Sequence, residues 1–153
     1  MYRYVRWSLF FIVPFLLDRY TKYLVLTDVI QTTMVTDFFN LYVTFNRGIS
    51  WGIGNDLHDT HRMILNLFIA CVLIYFMYYL RHVLHNAYLS IACMLILAGG
   101  ISNFIDRVWY GSVIDFLQFH LGDWFFPVFN LADVSITLGA MLLLYAVMFT
   151  EES

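Results

Sequence analysis

Four long apolar runs constrain the fold of this chain of 153 residues more than any other feature. A helix needs ~20 mostly apolar residues to cross the ~30 Å hydrocarbon core of a membrane. Runs close to that length lie at about residues 4–26, 63–80, 87–107 and 131–149. Because 61% of the residues are hydrophobic and only 12% are charged, a soluble fold would expose too much apolar surface. We therefore expect an all-α membrane protein with four transmembrane helices, forming one membrane-embedded domain over residues 1–153.

The orientation of these helices follows from the arginines near their ends. The two sides nearly balance, with Arg3, Arg6 and Arg81 on one side and Arg47, Arg62 and Arg107 on the other. An even number of spans places both termini on the same side. Since the first helix usually dominates, we expect both termini in the cytoplasm and most acidic residues on the outer side.

Two segments on the outer side do not have a helical pattern. Residues 41–46 alternate between apolar and polar, which is typical of a strand, so we expect a small β element at about 35–54. Glycines at 48, 52 and 54 interrupt that element, and we expect them to form part of a movable cover over a site. The second segment, 107–129, is rich in aromatic residues, and we expect it to be a loop in the membrane interface.

Several function classes are disfavoured by what the chain lacks. The net charge is −3 and Lys22 is the only lysine, so nucleic acid is not an expected partner. The sequence contains no HExxH, GxSxG or P-loop motif. Cys71 and Cys93 lie inside apolar runs without zinc-ligand spacing, which indicates packing residues. We therefore expect no metal and no cofactor.

Two aspartates stand where a membrane protein rarely places a carboxylate. Asp115 lies among apolar neighbours, so its pKa should be raised. Asp133 lies at the start of the last apolar run. If the two met, they would share a proton and could perform acid–base hydrolysis of a peptide bond. Asp133 also has a structural interpretation, because Asn130 and Asp133 have the spacing of a helix capping box.

Other polar residues fall on shared helix faces. Asp18 and Lys22 are four residues apart, which is compatible with an ion pair whose lysine snorkels outward and with a clamp that orients functional groups. Gly99, Asn103 and Arg107 share one face of the third helix and should point into the bundle. Asn103 and Arg107 could serve there as structural contacts or as functional groups.

Five motifs in order along the whole chain resemble the bacterial lipoprotein signal peptidases, or signal peptidase II. They are Asp18-x-x-x-Lys22, Phe45-Asn46-x-Gly48, Gly99-Gly100-x-x-Asn103-x-x-Asp106-Arg107, Gly111-x-Val113-x-Asp115-Phe116 and Phe129-Asn130-x-Ala132-Asp133. The resemblance implies an aspartic endopeptidase of the bacterial inner membrane. It would cleave diacylglyceryl-modified prolipoproteins on the N-terminal side of the lipidated cysteine. It also implies inhibition by globomycin-type peptides, and we expect a monomer in contact with membrane lipids.

The same resemblance assigns roles to residues of this chain. Asp115 and Asp133 match the catalytic pair, and Asp18 and Lys22 match a supporting pair. The positions that match substrate-binding residues are Asn46, Gly48, Asn103, Arg107 and Asn130. Two departures, Ser102 in place of a more common glycine and residues 49–51 after Gly48, leave the aspartates intact but bear on inhibitor sensitivity.

Two other functions are compatible with intramembrane carboxylates. A small transporter or channel could use them to relay protons or bind a cation. Transporters more often show internal repeats and broken helices, whereas here the polar residues gather on one side and no repeat is present. A non-catalytic assembly subunit would leave the pairing of Asp115 with Asp133 unexplained. Peptide hydrolysis is therefore the favoured function.

Overall fold

The computed structural model describes residues 2–27, 32–48 and 59–149 and contains four helices and four short strands within them. In chain order they are α1 (Tyr2–Thr27), β1 (Thr32–Thr36), β2 (Phe39–Asn46), α2 (Asp59–Val83), α3 (Ala87–Tyr110), β3 (Val113–Leu121), β4 (Trp124–Phe125) and α4 (Leu131–Phe149). All four predicted helices are present. Three of them are longer than predicted, by three to seven residues in total at their ends.

Three of the helices in the described part of the chain are long and apolar enough to cross a membrane: Thr60–Val83, Ala87–Tyr110 and Leu131–Phe149. Their outward side chains are large and apolar, as at Leu67 and Phe68, which are 67% and 65% exposed. Such surface is stabilised by lipid and costly in water. In α1 the charged residues Asp18, Arg19 and Lys22 interrupt the apolar run.

Helix α3 lies at the centre and packs against α1, α2 and α4. Its contact with α4 depends on small residues such as Gly139. A Cβ at Gly139 would lie 2.9 Å from the Ala92 carbonyl oxygen and 2.8 Å from Cγ1 of Ile96. The two backbones therefore approach more closely than any larger residue would allow, which fixes how α4 sits against α3.

The four strands form one antiparallel sheet in the order β1-β2-β3-β4. Strand β2 confirms the alternating pattern at 41–46, and it pairs with β3 so that Thr44 lies opposite Asp115. The prediction of a loop over 107–129 was wrong. Helix α3 continues to Tyr110, and β3 and β4 then form a hairpin around Gly122, whose φ of 59° favours glycine.

The strand in this segment was missed because both of its faces carry apolar residues. On one face Ile114 and Phe116 are buried, at 0% and 3% exposure. On the other face Phe119 contacts the rings of Phe39 and Phe129. A strand with two apolar faces gives no alternating signal. Residues 49–54, which include the Gly52 and Gly54 of the predicted cover and the departures at 49–51, lie outside the described residues.

Candidate active site

Asp115 is the third residue of β3 and is almost fully buried, at 2% exposure. Its Oδ2 accepts a hydrogen bond from Nδ2 of Asn46, at 3.1 Å, on the paired strand β2. Its Oδ1 accepts from Nδ2 of Asn130, at 2.7 Å, just before α4. Pairing of β2 with β3 therefore brings Asn46 to a carboxylate 69 residues away in sequence.

The pKa of Asp115 is raised to about 7, from an ordinary value of 3.8, and burial is the largest cause. The negative charge of Asp133 is the second cause of the rise, which indicates that the two carboxylates lie close enough to interact. Hydrogen bonds from Asn46 and Asn130 and the positive charge of Lys22 oppose the shift. The raised pKa expected from the apolar neighbours of Asp115 is therefore present, and near neutral pH this group can both hold and release a proton.

Asp133 occupies the first turn of α4, where the predicted capping box is present. Its backbone N–H donates to Oδ1 of Asn130 at 2.9 Å, and the Asn130 N–H donates to Oδ2 of Asp133 at 3.2 Å. Its Oδ1 also accepts from Nδ2 of Asn103, at 2.9 Å, on α3. The structural interpretation of Asp133 is thus confirmed, and the same carboxylate borders the cavity beside Asp115.

Asn130 joins the two carboxylates. Its fully buried amide Nδ2 donates to Asp115 and also contacts Oδ1 of Asn103 at 3.2 Å, while its backbone N–H and Oδ1 hold Asp133. Asn103 completes the ring by donating to Asp133. The two amides fix the orientation of both acids without adding charge.

A cavity of about 530 Å³ opens beside this pair. Its polar end includes Asn46, Asn103, Arg107 and both aspartates, and its apolar part runs between α2, α3 and α4 along Ile69, Gly100, Phe104, Ile136 and Met141. The Nη2 atom of Arg107 donates to the Gly48 carbonyl oxygen at 2.5 Å, and the Gly48 N–H donates to Oδ1 of Asn46 at 3.0 Å. All the predicted site residues thus lie in or directly beside one region, although Gly48 contributes only backbone atoms to these contacts.

Asp18 and Lys22 form the ion pair that their spacing indicates, but Lys22 points inward and does not snorkel. The lysine side chain is 1% exposed, and its Nζ contacts Asp18 Oδ2 at 2.8 Å, Asp106 Oδ2 at 2.7 Å and Asn103 Oδ1 at 2.8 Å. Three acceptors match the three protons of an ammonium group. The clamp interpretation is the better description, because Lys22 holds the same Asn103 that binds Asp133.

Two further charged residues beside Asp18 and Lys22, namely Arg19 and Asp106, had no predicted role. Asp106 is fully buried and pairs with both Arg19 and Lys22. Its position three residues after Asn103 on α3 was a usable signal, because residues three and four apart share a helix face. Arg19 is likewise three residues before Lys22. Asp18, Arg19, Lys22 and Asp106 together form a cluster of two acids and two bases, which we call the buried charge cluster.

The fold and the site define a small helical membrane protein that holds two hydrogen-bonded carboxylates at the edge of a largely apolar cavity. Comparison with known proteins identifies the family. Residues 10–149 match the family model described as signal peptidase (SPase) II, and the chain belongs to this family of peptidases. The resemblance seen in the sequence is confirmed, and peptidase activity is favoured over transport.

Individual relatives agree with this assignment. The lipoprotein signal peptidase of Burkholderia multivorans (strain ATCC 17616 / 249) is 42% identical over 111 residues, which are 72% of this chain and 67% of the relative. That of Burkholderia mallei (strain SAVP1) is 39% identical over 136 residues, or 88% and 82% of the two chains. Family membership and the apolar helices suggest a bacterial inner-membrane protein.

Solved structures match the fold over nearly the whole chain. One is described as "Bacterial membrane enzyme structure by the in meso method at 2.3 A resolution". It has a TM-score of 0.73 and 32% sequence identity, and covers 95% of this chain and 91% of its own. A second, described in the same words at 1.9 A resolution, has a TM-score of 0.72 and 29% identity, covering 95% and 92%. The helices and sheet described above are therefore similar to those of known membrane enzymes.

Proposed function

We propose that this chain is an aspartic endopeptidase that removes the signal peptide from diacylglyceryl-modified prolipoproteins. Cleavage would occur on the N-terminal side of the lipidated cysteine. The observation that carries the proposal is the pair of the buried Asp115 and the half-buried Asp133, which Asn130 joins at the edge of a cavity. Relatives named lipoprotein signal peptidases supply the substrate class.

In the proposed mechanism the pair activates water without a covalent intermediate. A pKa raised to about 7 lets Asp115 hold a proton near neutral pH. That proton would go to the scissile carbonyl oxygen while Asp133 takes one from the attacking water. The two acids would exchange roles as the amine leaves, so the pair titrates as one unit.

The neighbouring polar residues would position the acids and the peptide. Asn103 and Asn130 already donate to the carboxylates, so we assign them to orienting the pair. Arg107 lines the cavity and interacts electrostatically with both aspartates, so its charge would stabilise negative charge that develops on the substrate. Asn46 lines the sheet side of the cavity and accepts a hydrogen bond from the Gly48 N–H, and we expect substrate backbone to bind there.

The apolar part of the cavity suits a lipid-modified substrate. Its lining between α2, α3 and α4 consists of side chains that would contact acyl chains or the apolar stretch of a signal peptide. A water-soluble peptide would leave this surface empty. We therefore expect the enzyme to require the lipid group on its substrate, and globomycin-type peptides to compete for the same cavity.

We further propose that α1 also spans the membrane, giving four spans with both termini in the cytoplasm and the site near the outer face. Its charged residues Asp18 and Lys22 are buried and paired, which lowers their cost in a bilayer. Its outward residues are apolar, as at Leu9 and Leu16, which are 62% and 57% exposed. The exposed rings of Trp109 and Trp124 suit the outer interface.

The test uses the full chain in lipid with a diacylglyceryl-modified prolipoprotein and its unmodified counterpart. We expect cleavage of the modified precursor only, and block by globomycin. Asp115→Asn and Asp133→Asn should each abolish cleavage while the protein still inserts and folds. Asp123→Asn, on the exposed hairpin turn, is the matched control and should leave cleavage unchanged. Near wild-type cleavage by either active-pair variant would show that the assigned pair is wrong.

A further inference from the structure

Ser102 places a hydroxyl group in the buried contact between α3 and α1. The residue is fully buried, and its Oγ donates to Oδ2 of Asp18 at 2.6 Å. A hydrogen bond to a carboxylate is stronger than one between neutral groups. Ser102 directly precedes Asn103, which contacts Asp133, but Ser102 itself does not line the cavity.

Asp18 divides its two oxygens between two tasks. Its Oδ2 accepts from Ser102 and from Lys22, while its Oδ1 accepts the backbone N–H of Ala132 at 2.8 Å. Ala132 belongs to the first turn of α4, where the backbone N–H groups have no partner within the helix. A carboxylate on α1 thus caps α4, one residue before Asp133.

We propose that Ser102 is a positioning residue, which holds Asp18 in the orientation that caps Ala132 and thereby fixes Asp133. Lys22 already places one proton on the same Oδ2 and its other two on Asp106 and Asn103, so it has no further proton to replace the Ser102 hydroxyl. Without the hydroxyl, the Asp18 carboxylate can rotate toward Lys22 and release the buried Ala132 N–H. The start of α4 would then loosen at the residue next to Asp133.

The kinetic test compares Ser102→Ala with Ser90→Ala in the full chain in lipid. Ser90 is the matched control because it is a fully buried serine on α3, far from the site, whose Oγ donates to the Val83 carbonyl oxygen. For Ser102→Ala we expect kcat to fall about fivefold with KM within about twofold of wild type. Ser102→Thr, which keeps a hydroxyl, should recover most of the lost kcat. Ser90→Ala should change neither constant.

A second measurement does not depend on catalysis. Hydrogen exchange at the Ala132 amide should be faster in Ser102→Ala than in wild type or Ser90→Ala, because the cap is lost. If Ser102→Ala fails to insert, both experiments use Ser102→Gly instead, because that variant also removes the hydroxyl. Unchanged exchange at Ala132 would overturn the proposal, as would unchanged kcat or a rise in KM alone.

The inference rests on the proposed function only for its kinetic consequence. If the wild-type chain does not cleave the lipidated precursor, the proposed function fails. The exchange of Ala132 still decides whether Ser102 acts through Asp18 on α4. If wild type cleaves and Ser102→Ala behaves as wild type in both measurements, the function stands and the positioning role fails.

Discussion

Replacement of Lys22 by methionine tests whether the buried charge cluster holds the helices together. Methionine keeps most of the apolar stem of lysine and removes the ammonium group. That group is 1% exposed and makes three charge-assisted contacts of 2.7–2.8 Å, to Asp18, Asp106 and Asn103. The variant would leave two fully buried carboxylates with only Arg19, itself partly exposed, as a neighbouring cation within the cluster.

The size of the effect follows from the cost of leaving buried charges without their partner. Removing one member of a buried ion pair costs about 3–5 kcal/mol. In a chain of this length each kcal/mol shifts Tm by about 2–4 °C, so we expect Tm to fall by about 6–20 °C. Thermal unfolding of the protein in lipid or detergent, followed by tryptophan fluorescence, measures this shift.

Two further variants make the test specific. Arg81→Met removes an exposed arginine at the end of α2, and we expect less than about 1 kcal/mol of change. Adding Asp106→Asn to Lys22→Met removes one of the two stranded carboxylates and should recover part of the lost stability. A Tm for Lys22→Met within about 2 °C of Arg81→Met would refute the view that the cluster stabilises the fold.

Three other substitutions extend the predictions. Because the pKa of Asp115 lies at about 7 in the fold against 3.8 ordinarily, its ionisation lowers stability progressively as pH rises between those values. Asp115→Asn removes this cost, so the Tm of the variant minus that of wild type should be larger at pH 8 than at pH 4. The same Tm difference at both pH values would contradict the burial argument. Gly139→Val should lower the free energy of unfolding by about 1–3 kcal/mol, since the valine side chain would meet the Ala92 carbonyl. Thermal unfolding measures this change, and an unchanged Tm would mean that α4 can shift away from α3. Asn130→Ala should lower kcat about 100-fold or more in the prolipoprotein assay, because the Asp115 carboxylate loses a donor and the Asp133 N–H loses its capping acceptor. A loss below about tenfold would show that the Asn130 side chain does not orient the two acids.

Local signals in the sequence were sufficient for the helices and for part of the sheet. The apolar run predicted the bounds of α4 as 131–149, and the predicted cap of Asn130 and Asp133 lies at its start. The alternation at 41–46 likewise predicted β2. Strand β3 was missed because apolar residues cover both of its faces, so its pattern does not differ from that of an interfacial loop.

The buried charge cluster needed contacts between distant parts of the chain. Lys22 and Asn103 are 81 residues apart in sequence, and Arg19 and Asp106 are 87 apart. Whether a lysine near a helix end snorkels outward or turns inward depends on acceptors supplied by another helix. Composition and helical phasing give the face on which Lys22 lies, but not the three acceptors that meet it there.

The structural and functional interpretations of Asp133 support one another. The cap contacts hold its carboxylate in one orientation before any substrate arrives, so little side-chain entropy remains to be lost on binding. The N-terminal end of α4 also favours negative charge at this position. Since Asn130 caps the helix and also donates to Asp115, the geometry that starts α4 is the geometry that joins the two acids. Any substitution that weakens the start of α4 should therefore disturb the proposed pair as well, even when it leaves both aspartates in place.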